Sequence, residues 1–195
     1  MLKTLSIAAA VIGFAVTLAA QTPEPADTFK VNYFSHANTP PAPDGTVYIT
    51  NDGTSVGATG DAKGNLCAMI YVFRPDQEMA ECCGCQLTPD GLRTLSVNND
   101  LTSNPLTAAP LPTGVVKIVS STGYPTCNPR TPVPTPGIRA WGTHVQVGDA
   151  PYSLTETEFS DATLSAGELA NLGPVCASII KEGSGTGTCT CGTGD

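Results

Sequence analysis

Eight cysteines, Cys67, Cys82, Cys83, Cys85, Cys127, Cys176, Cys189 and Cys191, are the residues of this 195-residue chain best equipped for chemistry. Three of them fall within the four positions "CCGC", and two more stand near the end in "CTC". The two Cys-x-Cys units together offer four thiolates, a set that can bind zinc tetrahedrally, although structural zinc sites usually leave about two to four residues between paired ligands. A catalytic dithiol is poorly served, because no Cys-x-x-Cys stands at a helix start, where a thiolate would be stabilised. The remaining use is stapling. An even set of cysteines in an exported chain reads as a disulfide framework, with on the order of a hundred pairings open to it.

Strand geometry narrows those pairings. Neighbouring side chains of an extended strand project to opposite faces, so Cys82 and Cys83 need different partners while Cys83 and Cys85 share a face. A turn at Arg74–Gln77 would set Cys67 diagonal to Cys82, and that bond would contribute about 3 kcal/mol by loop entropy. The two Cys-x-Cys units would then pair with each other and fasten the Gly-rich tail to the sheet. Cys127 would be left for Cys176. The expectation is a set of structural disulfides, with no metal and no cofactor.

Other candidate groups are weaker. There are two histidines, His36 and His144, too few for a three-histidine metal site. A Ser/His/acid arrangement around His144, near Trp141, has no Gly-x-Ser-x-Gly elbow to support it. Glu156 and Glu158 fall on one face of a strand, roughly 7 Å apart, a spacing that fits a carboxylate pair for glycoside hydrolysis but equally describes a solvated face. "NND", Asn98 to Asp100, offers oxygen ligands without the spacing of a dedicated calcium loop. Trp141, Tyr71, Phe73, Tyr124 and Tyr152 could form a stacking platform for sugars, with core packing the simpler use. No residue is assigned a catalytic, cofactor-binding or metal-binding role.

Several elements must position these groups. The start, "MLKTLSIAAAVIGFAVTLAAQ", has Lys3, an apolar run of about 16 residues and a small-residue close at Ala19-Ala20, the layout of a secretory signal peptide. Residues 1–20 are thus expected to be a cleaved signal, 21–27 a Pro-containing leader, and 28–195 a single β-rich domain with a Cys-containing tail. "TFKVNYFSHA", "TVYITNDG", "LCAMIYVF", "GVVKIVSS", "GIRAWGTHVQV" and "YSLTETEFS" read as strands, with "EMAECCGC" returning as the hairpin partner of "LCAMIYVF". The latter is apolar on both faces and belongs inside a sheet. Five prolines make "YPTCNPRTPVPTP" an extended surface loop. Ser165 and Glu168 form a capping box for a helix whose Leu169, Leu172, Cys176, Ile179 and Ile180 fall at helical spacing. Gly173-Pro174 should kink or divide that helix, and Gly183 should stop it. About seven short strands and one late helix predict a mostly antiparallel, disulfide-stapled β-sandwich.

Net charge is −8, and beyond Lys3 the cationic residues are scattered singly. That excludes the basic footprint of a nucleic-acid binder and the polybasic segment of a membrane-surface binder. The blocks "LCAMIYVF", "ECCGCQLTPDGL", "TETEFSDATLSAGEL" and "CTCG" resemble a group of exported, cysteine-rich bacterial proteins, over roughly Asn65 to Gly192. The resemblance implies export and a bacterial source and carries no activity. The expected function is a non-enzymatic structural or interaction module of the cell surface or extracellular matrix, with homo-assembly or a surface glycan or protein as its partner. "TFKVNYFSHA" is a segment that could be shared between subunits, although pairing within its own domain is the ordinary outcome. Two other functions remain open: a secreted carbohydrate- or metal-binding protein, and a hydrolase of unfamiliar design.

Overall fold

A computed structural model describes residues 25–54, 63–103, 111–148, 152–182 and 189–192. The expected signal peptide, the first part of the leader and the expected helix stop at Gly183 lie outside the described residues. The strands are β1 Phe29–Ser35, β2 Thr46–Asn51, β3 Leu66–Phe73, β4 Met79–Leu87, β5 Leu92–Ser96, β6 Thr113–Ser121, β7 Ile138–Gln146, β8 Ser153–Glu158 and β9 Ser160–Asp161, followed by helix α1 Ala166–Glu182. They form two antiparallel sheets, ordered β4-β3-β6-β1-β9 and β5-β2-β7-β8. The predicted β-sandwich with one C-terminal helix is the observed architecture.

Burial explains the layering. β3 lies between β4 and β6 and is buried from Leu66 to Val72, because both of its faces are covered. Ala68, Ile70 and Val72 pack with Ile49, Leu95 and Ile138 between the sheets. Cys67, Met69 and Tyr71 face the other way, against Leu172 and Cys176 of α1. The Tyr71 hydroxyl donates to the Pro129 carbonyl at 2.8 Å, and burial pushes its phenol well above its ordinary pKa. β1 pairs with β6 along its whole length, within its own chain.

The disulfides are Cys67–Cys127, Cys82–Cys176, Cys83–Cys189 and Cys85–Cys191. The two Cys-x-Cys units pair with each other as expected. The pairings expected for Cys67 and Cys127 are replaced, and register is the reason. After the turn, Phe73 pairs with Met79 but Val72 pairs with Glu81, so Ala80 is an extra residue in a bulge. Cys67 therefore sits opposite Gln86 and Cys82 opposite Tyr71. The two share a face but stand four positions apart, roughly 13 Å at strand rise, while a disulfide needs Cα atoms within about 7 Å.

The Pro-rich loop is also less superficial than its composition suggests. It runs over the helix-side face of the first sheet, where Cys127 is buried. Gly84 makes this close approach possible: a Cβ there would lie 1.8 Å from the Cys127 carbonyl oxygen. Gly84→Ala is accordingly expected to cost about 1–3 kcal/mol as overpacking. Urea midpoints would register the loss, and an unchanged midpoint with intact Cys67–Cys127 on peptide mapping would refute it.

Helix α1 is continuous through Pro174, contrary to the division expected at Gly173-Pro174. Tertiary contacts on both sides of the proline outweigh its missing amide: Leu172 is buried before it, and Cys176 is bonded to Cys82 after it. Ser165 caps the helix, accepting from the Glu168 amide at 3.0 Å. The Glu168 carboxylate is engaged by Lys117 of β6, whose ammonium also lies 4.6 Å from the centre of the Phe73 ring.

Candidate functional site

The two lateral seams of the sandwich differ. At the seam bordered by β4 and β5, the C-terminal tail is drawn in. Cys189 is bonded to Cys83 inside the core, Thr190 hydrogen-bonds to Asp100, and Gly192 lies against the Thr94 carbonyl. Arg93 adds a link from β5 to β4, donating from Nε to the Gln86 carbonyl at 2.9 Å. At the opposite seam the first sheet ends in the two-residue β9, while the second ends in the six-residue β8. β8 overhangs, and the groove beneath it encloses about 530 Å³.

The alternation of β8 supplies one wall. Its register with β7 places Ser153, Thr155 and Thr157 opposite Gln146, His144 and Gly142. Those positions face inward, and Thr155 and Thr157 line the groove. Leu154, Glu156 and Glu158 alternate onto the outer face, with Glu158 reaching the groove's end. Every residue of β8 is exposed, so the inward hydroxyls are wet. The β8–β9 crossing is held by buried Phe159, whose amide donates to the Ala140 carbonyl at 2.8 Å. Gly142 leaves room for this crossing: a Cβ there would meet the Phe159 ring and Asn32 Nδ2, both at 3.1 Å.

β1 supplies the other wall. The Tyr33 ring is 54% exposed and rests 4.3 Å from the His144 imidazole, tilted by 37°. His144 itself is 3% exposed. Its Nε2 lies 2.7 Å from Thr157 Oγ1, which also accepts from Asn32 Nδ2 at 3.4 Å. Burial holds the His144 pKa below its ordinary value, so the ring is neutral at pH 7. With the proton on Nε2, Thr157 Oγ1 accepts from both neighbours and keeps its own hydrogen for a ligand. His36 stands at the same end of β1, its Nδ1 3.0 Å from the Val145 carbonyl and its ring 6.2 Å from that of Tyr152.

An ion network closes the far end. Lys30, 2% exposed, binds Asp27 at 2.6 Å and Asp161 at 2.9 Å. Arg139 spans Asp27 at 3.5 Å and Glu158 at 3.6 Å. These pairs join β1, β7, β8 and β9, fixing the short edge that leaves β8 overhanging.

Most groups singled out in the sequence do not converge. His144 meets a threonine, and its Nδ1 has no hydrogen-bond partner among the described residues. A base of the Ser/His/acid type requires that nitrogen to be held by an acceptor. Of the two glutamates of β8, Glu158 lines the groove and is tied to Arg139. In "NND", Asn98 accepts from the Asn38 amide and Asp100 from the Ser96 amide, so both secure a five-residue π-helical turn, Val97–Leu101. Cys83, Cys85 and Cys191 place their sulfurs within 4.8 Å of one another, but each is consumed in a disulfide and offers no thiolate. Tyr71 is core, and Trp141 lies on the opposite face of β7 from His144, beside Tyr48. Tyr33, Asn32, Gln146, Thr155 and Thr157 carry no motif. The readable signal was the Ser/Thr alternation in "SLTETE", hydroxyls where a covered strand would be apolar.

No protein-family model matches the chain, and no curated protein does. Among solved structures, "Crystal Structure of Thermotoga maritima 1070" is similar at a TM-score of 0.41 and 12% identity, over 71% of this chain and 95% of that one.

Proposed function

We propose that the chain is an exported, non-enzymatic interaction module of the bacterial cell surface or extracellular matrix, which presents the groove between β1 and β8 to its partner. The observation that carries this reading is the distribution of the four disulfides. They bind the Pro-rich loop and the helix onto the outer face of the first sheet and the tail into one seam, and among the described residues the opposite seam stays open. Such a framework belongs to an oxidising compartment. Among the described residues, no helix is long and apolar enough to cross a membrane. A His144 whose Nδ1 meets no acceptor among the described residues, and a Glu158 tethered to Arg139, favour binding over turnover. Self-assembly through β1 is disfavoured, because β1 would have to leave β6.

Fractionation of the native organism tests the reading. The expected result is a chain beginning at Ala20 or Gln21 in the surface or extracellular fraction, without free thiols, and captured there by a surface-confined cross-linker. A cytoplasmic, unprocessed chain with free thiols would sink it.

A further inference from the structure

We propose that the groove between β1 and β8 binds a neutral saccharide chain; this rests on the reading of the protein as a surface interaction module. Three features of the groove point to that ligand class.

The first is the platform. Tyr33 is half exposed, and its ring is held in place by the buried imidazole of His144. A phenol ring offers an apolar face with a polar tip, which suits the C–H face of a sugar ring and its neighbouring hydroxyl. The second is the wall opposite. Thr155 and Thr157 of β8, with Gln146 of β7 and Asn32 of β1, present short, uncharged donors and acceptors around the platform. Hydroxyls and amides that both donate and accept match a ligand whose own groups are hydroxyls. Thr157 Oγ1 accepts from Asn32 Nδ2 and lies 2.7 Å from His144 Nε2, so on the Nε2-protonated tautomer its own hydrogen is left for a ligand.

The third is electrostatic and steric. Glu158 sits at the groove's end and the chain carries a net charge of −8, which repels polyanions. The volume of about 530 Å³ is of small-ligand size, and the groove is a lateral seam open to solvent. A saccharide can lie in it with further units directed out through the open side, away from the Lys30–Arg139 network. The rival occupant, a peptide strand added to the free edge of β8, is opposed by Glu156 and Glu158, charges of the kind that blunt sheet edges.

Calorimetric titration of the full oxidised protein with cellohexaose, chitohexaose, maltohexaose and polygalacturonate tests the assignment. At least one neutral hexasaccharide is expected to bind. Tyr33→Ala should weaken it by about tenfold or more, and Thr157→Val should weaken it less. Leu154→Ser, on the outer face of β8, should leave it unchanged. Tyr33 and Thr157 are both exposed, but Thr157→Val also removes the partner of the buried His144 Nε2, so retained disulfides and a cooperative urea transition would verify that each variant is folded. Absence of binding to all three neutral probes, tighter binding of polygalacturonate, or equal loss in Leu154→Ser would overturn the assignment. If surface cross-linking in the native organism still succeeds, only the saccharide assignment falls. Release of new reducing ends from a bound probe would instead overturn the non-enzymatic reading while leaving the groove as the saccharide site.

Discussion

Replacing Cys82 and Cys176 together by alanine is expected to lower the melting temperature by roughly 6–12 °C under non-reducing conditions. The bond spans 94 residues. With Cys83–Cys189 still in place, however, it closes a path of only about 15 residues, which in the loop-entropy model removes about 3 kcal/mol of denatured-chain freedom. Total stability for a domain of this size is about 5–15 kcal/mol, so the change is a large share of it. Alanine is the proper replacement, because both sulfurs are fully buried and a serine pair would leave two hydroxyls without water.

The loss should also be local. Pro174 has no amide to donate to the Ala170 carbonyl, so the second half of α1 leans on tertiary contacts. With Cys176 released, amide exchange in the last turns of the helix should rise more than in β3. Equal protection of helix and sheet in the double variant, or a melting temperature within a few degrees of the parent, would contradict this account.

Lys30→Met is expected to cost about 2 to 3 kcal/mol and to flatten the acid arm of the stability profile. Lys30 is nearly fully buried between Asp27 and Asp161, whose side chains are 18% and 48% exposed. Removing the cation leaves both carboxylates without their closest partner. Asp161 is half in water, which brings the cost below the roughly 3–5 kcal/mol of a fully buried pair.

Burial alone would raise the Asp161 pKa. The hydrogen bonds from Lys30 and from the Asp27 amide, with the charges of Lys30 and Arg139, outweigh burial and hold it below its ordinary value. Its contribution is therefore present above the unfolded value near pH ~3.9 and disappears as pH falls through the depressed folded value. For Lys30, burial alone would lower the pKa, but hydrogen bonds and charges from Asp27 and Asp161 leave it raised. Its contribution is complete below about pH 10.4 and is lost as pH rises through the raised folded value. Urea midpoints should thus form a plateau between these limits. A Lys30→Met variant that keeps the parental acid arm would refute the network's role.

The same network shows how far sequence reading goes. Lys30, Asp27, Asp161, Arg139 and Glu158 are scattered along the chain, with Asp27 and Asp161 134 positions apart, and no spacing rule connects them. They meet because β1 pairs with both β6 and β9, while β7 and β8 lie alongside. Tyr33 is similar. It is one aromatic in an alternating strand until β9 stops after two residues and leaves its ring beside His144. The helix at Ala166–Glu182 was legible in its cap and spacing, but its continuity through Pro174 was not, since the compensating contacts come from β4 and from packing.

By itself the sequence determined the alternation and the covalent logic. The period of two in a strand sends Cys82 and Cys83 to opposite faces and places Cys83 and Cys85 on one, and the apolar run of β3 assigns it to the interior, because these follow from local geometry alone. Only the tertiary structure decided the register and the edges. The turn pairs Phe73 with Met79 in place of Glu78 and the bulge at Ala80 adds a second residue, and together these shifts moved Cys82 out of reach of Cys67 and gave their sulfurs to Cys176 and Cys127. The unequal lengths of β8 and β9 opened the groove. Register and strand endings depend on long-range pairing energies that no short window of residues contains.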